Sequence, residues 1–156
     1  MVKYYLDKYL GILFRDITTF GGAVFYGMIL LLLIFLKEYL LCLKLGIGLI
    51  LILIITTLVR IIYFKDRPNK EEHHNWIERI DASSFPSMHT ARIFFFGLVM
   101  SQFWDYSLNL TILFLVVSLS VSYSRIFLKK HDWWDLLGGL VLGVISFWII
   151  TFIHLI

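Results

Sequence analysis

The chain has 156 residues, of which 60% are hydrophobic, with a mean hydropathy of +0.84 and a formal net charge of +3. This apolar share is well above that of soluble domains and excludes an ordinary water-soluble globular protein. Basic stripes interleaved with aromatic residues are absent, which excludes nucleic acid as a partner. Cys42 is the only cysteine, so the chain forms no intramolecular disulfide.

The first half of the chain predicts one surface helix and two membrane helices. Residues 2–16 predict an amphipathic helix that lies on the membrane surface, with apolar side chains on one side. Its charged residues are Lys3, Asp7, Lys8, Arg15 and Asp16. Long runs without charge predict a first membrane helix over 18–36 and a second over 41–63. Lys44 is near enough to a helix end for its amine to reach the interface.

The second half begins with a polar segment, 64–85, and then predicts three more membrane helices. These helices are expected at 86–104, 108–128 and 133–155, from their apolar runs. The sequence therefore predicts an all-α integral membrane protein. It is expected to be a single domain over 1–156, a bundle of about five transmembrane helices with an N-terminal interfacial helix.

The helix predicted over 86–104 is unusual because His89 and Arg92 lie in its first turns. Ionisable side chains at membrane depth are costly, and they usually face a cavity and mark a functional site. Pairs of small residues four positions apart predict close packing of the membrane helices. These pairs are Ala23/Gly27, Ser118/Ser122 and Gly139/Gly143.

The order of the five predicted membrane helices brings four helix ends to one face of the bundle. The second and fourth helices end on this face, and the third and fifth begin there. Polar clusters fall at all four ends, so alternation of the helices alone would assemble one site. The clusters are Arg60 to Pro68, Pro86 to His89, Ser124-Arg125, and His131 to Asp135.

The spacing of His131 and Asp135 suits a positioned nucleophile. If the two residues open a helix, side chains four apart share one face, and Asp135 can accept a hydrogen bond from one ring nitrogen of His131. The other nitrogen then stays basic, beside the phosphate-binding fork of Arg125. Two alternatives stay open at this point. The histidine and aspartate could be a structural pair at a helix start, and the arginines could be interface anchors.

Together and in this order, the clusters resemble the tripartite signature of the type-2 phosphatidic acid phosphatase superfamily, which includes membrane lipid phosphatases. The resemblance spans residues 60–135. Arg60 stands where the family usually has lysine, and this keeps the positive charge. Met88 stands where the family usually has glycine, and its side chain would narrow the pocket while its backbone N–H is kept.

The resemblance implies a role for each site residue. His131 would attack phosphorus to form a phosphohistidine, Asp135 would orient His131, and His89 would act as general acid and then as general base. The phosphate oxygens would be bound by Arg60, Arg67, Ser87, Met88 and Arg125. No metal and no other cofactor is expected, because guanidinium groups would supply the positive charge.

The implied activity is that of a small bacterial membrane lipid phosphatase. Its substrate would be a phosphate of lipid A, undecaprenyl diphosphate, phosphatidylglycerol phosphate or phosphatidic acid. Two alternatives stay open: a lipid phosphotransferase with a hydroxyl acceptor, and a non-catalytic anionic-lipid binder or transporter. The substrate lipid and the bilayer are the expected partners, with no obligatory protein partner.

The orientation of the protein in a bacterial inner membrane receives conflicting indications. All Lys and Arg residues except Lys37 and Lys44 fall on the predicted site face, and this excess favours the cytoplasm. The family resemblance favours the periplasm, and the periplasmic side is the expectation adopted here.

Overall fold

The computed structural model describes residues 2–69 and 74–152, and every regular element within them is a helix. The predicted all-α class is confirmed. The helices are α1 (Val2–Thr18), α2 (Ala23–Phe35), α3 (Tyr39–Ile62), α4 (Trp76–Ala82), α5 (Met88–Phe103), α6 (Leu108–Phe127) and α7 (Trp133–Phe152). The end of the last predicted membrane helix, 153–155, lies outside the described residues.

The outer surface of the helices is apolar, as in a membrane protein. Val24, Phe35 and Ile62 are each between 79% and 85% exposed. Helices α3, α6 and α7 are long and apolar enough to cross a membrane, and α1 with α2 would add a fourth span that is bent by 48°. Helix α5 has only 16 residues. The count of five spans and the surface position of α1 stay predictions.

Two local differences from the predicted boundaries have clear causes. Helix α2 begins at Ala23 rather than at 18, because Thr19–Gly21 form a 3₁₀ turn and Gly22 is extended. The predicted loop 64–85 contains the short helix α4. This helix begins after Asn75, whose side-chain oxygen accepts a hydrogen bond from the backbone N–H of Glu78 at 2.8 Å.

Helix α5 lies at the centre of the bundle, packed against α3, α6 and α7. Gly139 and Gly143 of α7 let the two backbones approach closely. A Cβ added at Gly143 would lie 2.6 Å from the carbonyl oxygen of Ala91, and one at Gly139 would lie 2.5 Å from that of Ser87. The packing predicted from this glycine pair is confirmed.

Helix α1 packs along α6, and its end lies near the start of α5. The ring of Phe14 lies 4.4 Å from that of Phe127 and 5.5 Å from that of Tyr123, centroid to centroid. The turn that follows α1 places Gly21 against the imidazole of His89. The junction between α1 and α2 therefore forms one wall beside the polar end of the bundle.

Candidate active site

The polar clusters come together at one end of the bundle, as the alternation of helices predicted. The backbone N–H of Ser87, just before α5, donates to the carbonyl oxygen of Asp135 in α7 at 2.9 Å. The N–H of Asn69, in the segment after α3, donates to the carbonyl oxygen of Lys129, after α6, at 3.0 Å. Main-chain hydrogen bonds thus connect the four segments that carry the candidate residues.

The start of α7 places His131 beside Asp135. Asp132 caps the helix: its carboxylate accepts from the N–H of Asp135 at 3.1 Å, and the carboxylate of Asp135 accepts from the N–H of Asp132 at 3.0 Å. This reciprocal pair is a capping box, and it holds the side chain of Asp135 in place. The Nδ1 atom of His131 lies 3.4 Å from Oδ2 of Asp135, and both residues are buried. The imidazole therefore presents its Nε2 atom away from the carboxylate.

Lys65 is a site residue that the sequence interpretation missed. Its ammonium group lies 2.7 Å from Oδ2 of Asp132 and 2.8 Å from Oδ1 of Asp135. Asp135 is fully buried, whereas Asp132 is 41% exposed. One carboxylate oxygen of Asp135 therefore contacts the ammonium group of Lys65, and the other faces the imidazole of His131. A cation and an imidazole share one buried carboxylate.

Burial sets the protonation of His131, and ion pairing sets that of Lys65. Burial lowers the pKa of His131, and the contact with Asp135 opposes this shift without cancelling it. The ring is therefore neutral at neutral pH, as a nucleophile must be. Burial acts to lower the pKa of Lys65, but its hydrogen bonds to Asp132 and Asp135 outweigh burial and raise it. Lys65 is held protonated.

His89 is the second residue of α5 and lies among positive charges. Arg125, Arg67 and His131 are all close enough to interact with it electrostatically. Its ring packs against the backbone of Gly21 in the turn after α1. The structure thus brings both predicted catalytic histidines into one cluster with two of the predicted arginines.

Arg60 and Arg67 both hold the segment around α4. The Nη1 atom of Arg60 donates to the carbonyl oxygen of Ile80 at 3.3 Å, and its Nη2 atom donates to that of Pro86 at 3.2 Å. The Nη2 atom of Arg67 donates to the carbonyl oxygen of Asp81 at 2.6 Å. A guanidinium carries five N–H donors, so these bonds do not exhaust the side chain of Arg60. Arg60 is also within electrostatic range of Arg67.

Arg125 joins the site to the N-terminal part of the chain. Its Nη1 atom donates to the hydroxyl of Thr18, at the end of α1, at 3.0 Å. The carbonyl oxygen of Arg125 accepts from the N–H of His131 at 3.3 Å, so the two residues are also connected through the main chain. Arg125 is buried. Its position depends on α1, which the sequence interpretation placed on the membrane surface without assigning it a contact in the site.

Ser87 and Met88 lie at the start of α5, as predicted for a helix that opens with these residues. The hydroxyl oxygen of Ser87 accepts from the N–H of Thr90 at 3.4 Å and from the hydroxyl of Thr90 at 3.0 Å. Ser87 is thus the N-cap of α5 and is fully buried. Met88 is half-buried. In this arrangement Ser87 orients the helix start, where free N–H groups favour an anion.

The site as a whole is suited to binding an anion beside a neutral imidazole. Arg67 and Arg125 lie within electrostatic range of both histidines, and Arg60 and Lys65 are connected to the cluster through Asp135. Within the described ranges 2–69 and 74–152, no group of three His, Cys, Asp or Glu side chains could hold a metal ion. The expectation of metal-independent chemistry stays a prediction.

Comparison with known proteins identifies the class. The PAP2 superfamily matches residues 26–155, nearly the whole chain, and the chain belongs to this superfamily. The resemblance seen in the three sequence clusters is therefore confirmed.

Two individual proteins are similar to this chain. YbjG of Escherichia coli (strain K12), provisionally named an undecaprenyl-diphosphatase, is 31% identical over 110 residues. The match covers 68% of this chain and 53% of YbjG, so the chain spans about half the length of this curated relative. The crystal structure of LpxE from Aquifex aeolicus has a TM-score of 0.76 at 20% identity, over 91% of this chain and 85% of LpxE. The fold of the two chains is the same.

Proposed function

We propose that this protein is a membrane lipid phosphatase that hydrolyses a phosphate ester or the terminal phosphate of a diphosphate on a lipid head group. The observation that carries the proposal is the contact of His131 with Asp135, inside a cluster that also holds His89 and Arg125. Membership of the PAP2 superfamily and the apolar outer faces of the helices support it. The lipid tail would stay in the bilayer while the head group reaches the helix ends.

The reaction we propose passes through a phosphohistidine. Nε2 of His131 attacks phosphorus, and the bond from phosphorus to the leaving oxygen breaks. His89 gives its proton to that oxygen. The same histidine then takes a proton from water, whose oxygen attacks the phosphohistidine and releases inorganic phosphate. Asp135 holds the Nδ1 proton of His131 and stabilises the positive charge of the ring during attack.

The arginines and the start of α5 would bind the phosphate. Arg60, Arg67 and Arg125 stabilise the charge that spreads over the phosphoryl oxygens in the transition state, which is the main catalytic contribution in such reactions. Ser87 and Met88 add the N-terminus of α5, whose free N–H groups and dipole favour an anion. The mechanism uses these groups and no metal.

The substrate candidates are lipid A, undecaprenyl diphosphate, phosphatidylglycerol phosphate and phosphatidic acid. We expect purified wild-type protein in detergent to release inorganic phosphate from at least one of them, and chelator to leave the rate unchanged. Phosphate release from each lipid, with and without chelator, is the measurement. No release from any lipid by folded protein would contradict the hydrolase proposal, and transfer to hydroxyl acceptors would then be measured.

We also propose that the site faces the periplasm in a bacterial inner membrane. The support is the family resemblance, and the distribution of Lys and Arg argues the other way. Helix α7 begins at the site, so its far end should lie on the opposite side. A reporter that is active only in the cytoplasm, fused after Ile156, should therefore be active. If this fusion is inactive and a periplasm-specific reporter at the same position is active, the site faces the cytoplasm instead.

A further inference from the structure

A groove on the side of the bundle opens between α2, α3 and α5, outside the catalytic cluster but adjoining it at α5 through Arg92, which interacts electrostatically with His89. Its volume is about 290 Å³. Apolar side chains and glycine form most of its wall, which runs from the start of α2 towards the middle of α3. The lining residues are Ala23, Tyr26, Gly27, Leu30, Gly46, Leu49, Ile50, Leu53 and Arg92.

Among the described residues that line this wall, Arg92 is the charged one. It is half-buried and lies three positions after His89, so it sits about one helical turn deeper along α5. In the part of the chain that the structure describes, its guanidinium donates no hydrogen bond and forms no ion pair, although it lies within electrostatic range of His89 and Arg60. An arginine at membrane depth is costly unless it faces a cavity and has an anionic partner there.

Tyr26 lies beside Arg92 and also lacks a partner. Tyr26 is only 3% exposed, and its hydroxyl has no hydrogen-bond partner among the described residues. The two side chains interact electrostatically. A buried hydroxyl that is left without a partner costs free energy, so a built polar pair of this kind points to a ligand. A guanidinium and a hydroxyl donor together suit an oxyanion.

The space in the groove comes from two glycines that do not pack against a neighbour. A Cβ added at Gly27 or at Gly46 would meet no heavy atom of the described residues within 4 Å. The prediction that Ala23 and Gly27 mediate close helix packing is therefore wrong for Gly27. Glycine costs a helix about 1 kcal/mol relative to alanine, and here it keeps an apolar channel open instead.

We propose that Arg92 and Tyr26 form a second phosphate subsite, which binds the phosphate that is not transferred, while the lipid tail occupies the groove. The preferred substrate class is then a lipid with two phosphates rather than one. This inference rests on the proposed phosphatase function. The charge and polarity of the groove identify the occupant as an anionic lipid. The polar pair lies about one turn of α5 from His89, and the wall around it is apolar.

The subsite would act on the leaving group. In a lipid diphosphate, Nε2 of His131 attacks the terminal phosphorus and forms a bond to it, and the bond from that phosphorus to the bridging oxygen breaks. The electron pair stays on the bridging oxygen, so negative charge develops on the departing lipid monophosphate until His89 gives its proton to that oxygen. Arg92 stabilises this charge at the moment it develops. Water later supplies the oxygen that releases inorganic phosphate, and His89 takes its proton.

The test compares lipids that differ only in the second phosphate. Arg92→Met, Arg92→Lys and Tyr26→Phe are assayed on a polyprenyl diphosphate and on the monophosphate with the same tail. Charge-assisted hydrogen bonds are worth about 1.5–3 kcal/mol, so we expect kcat/KM of Arg92→Met on the diphosphate to fall about 10- to 150-fold. Tyr26→Phe should lose less, and Arg92→Lys should recover part of the activity. The monophosphate should stay within about 3-fold of wild type.

A third lipid distinguishes the two sources of a second phosphate. In phosphatidylglycerol phosphate the phosphate that is not transferred is a diester, separated from the terminal phosphate by a glycerol. In the diphosphate the two phosphates share one bridging oxygen. The lipid whose turnover falls with Arg92→Met is the one that uses the subsite. Equal losses on mono- and diphosphate, or no loss on any lipid, would overturn the subsite. Thermal unfolding in detergent verifies that each variant is folded. If wild type releases phosphate from no lipid, the proposed function itself has failed.

The groove can be tested separately from its polar pair. Gly27→Leu should fill the channel without a backbone clash, and Gly11→Leu in α1 is the matched control, since a Cβ there also meets nothing within 4 Å. We expect Gly27→Leu to reduce kcat/KM about 10-fold or more on a long-tailed diphosphate. It should not change turnover of a water-soluble diphosphate ester. If Gly27→Leu has wild-type kinetics on the long-tailed lipid, the lipid tail does not occupy the groove.

Discussion

The His131→Ala variant is expected to lose turnover by at least about 10⁴-fold, because it lacks the atom that forms the bond to phosphorus. Substrate binding should largely persist, since the arginines and the start of α5 are unchanged. The neighbours of His131 favour this division: Asp135 is held by the capping box and by Lys65, so it does not depend on the imidazole for its position. The measurement is single-turnover phosphate release beside equilibrium binding of the same lipid.

The matched control is His74→Ala, which removes an exposed histidine outside the cluster. His74 precedes α4 and contributes its backbone N–H, not its ring, to the carboxylate of Glu78 at 2.7 Å. Its replacement should leave the rate within about 2-fold of wild type, as for other surface substitutions. Rapid acid-free quenching of wild type should trap labelled phosphate on the protein, and His131→Ala should trap none. Full activity of His131→Ala would remove the phosphohistidine mechanism.

Much of the site was predictable because its residues lie at helix ends. Apolar runs locate the membrane helices, and alternation of those helices brings Arg60, Ser87, Arg125 and His131 to one face without any knowledge of side-chain contacts. The spacing of four correctly predicts that His131 and Asp135 meet, but the helical repeat is not the reason, because α7 begins at Trp133 and His131 precedes it. The capping box was not predicted, although Asp132 and Asp135 stand three apart at a helix start, which is the spacing of that motif.

The remaining features depend on long-range packing. Lys65 lies in an irregular segment without periodicity, so nothing local indicates that it reaches Asp135, seventy positions later. The contact of Arg125 with Thr18 requires knowing how α1 packs against α6. Gly27 follows the same small-residue spacing as Gly139, yet one lines an open groove and the other meets a backbone. Sequence spacing is identical in the two cases, and only the position of the neighbouring helix distinguishes them.

Lys65 therefore gives the second large prediction. Lys65→Met leaves the fully buried carboxylate of Asp135 without its cation, and breaking a buried pair costs about 3–5 kcal/mol. We expect a large loss of thermal stability together with at least a 10-fold fall in kcat, because a carboxylate that is no longer held would orient His131 poorly. Lys65→Arg should recover part of both.

Asp132→Asn separates the two ion pairs of Lys65. Asparagine caps helices about as well as aspartate, so the cap of α7 is kept while the exposed partner of Lys65 loses its charge. The pair with Asp132 is partly exposed and should contribute less than about 1 kcal/mol. We therefore expect Asp132→Asn to stay near wild type in stability and rate. A loss as large as that of Lys65→Met would assign the stabilisation to Asp132 instead of Asp135.

The dependence of kcat/KM on pH, which reports pKa values of the free enzyme, tells whether Lys65 positions the catalytic pair or only stabilises the fold. Burial lowers the pKa of His131, so the ring is neutral above that value and becomes protonated as the pH falls through it. The acid limb of wild type should therefore lie below pH about 6.5. To separate this limb from titration of the substrate, two substrates with different phosphate pKa values are compared. The limb that belongs to the protein has the same midpoint with both. In Lys65→Met the uncompensated charge of Asp135 favours the imidazolium, so the limb should move to higher pH. A purely structural lysine would leave its midpoint unchanged, because lower stability alone does not alter the electrostatic environment of His131 in the molecules that remain folded.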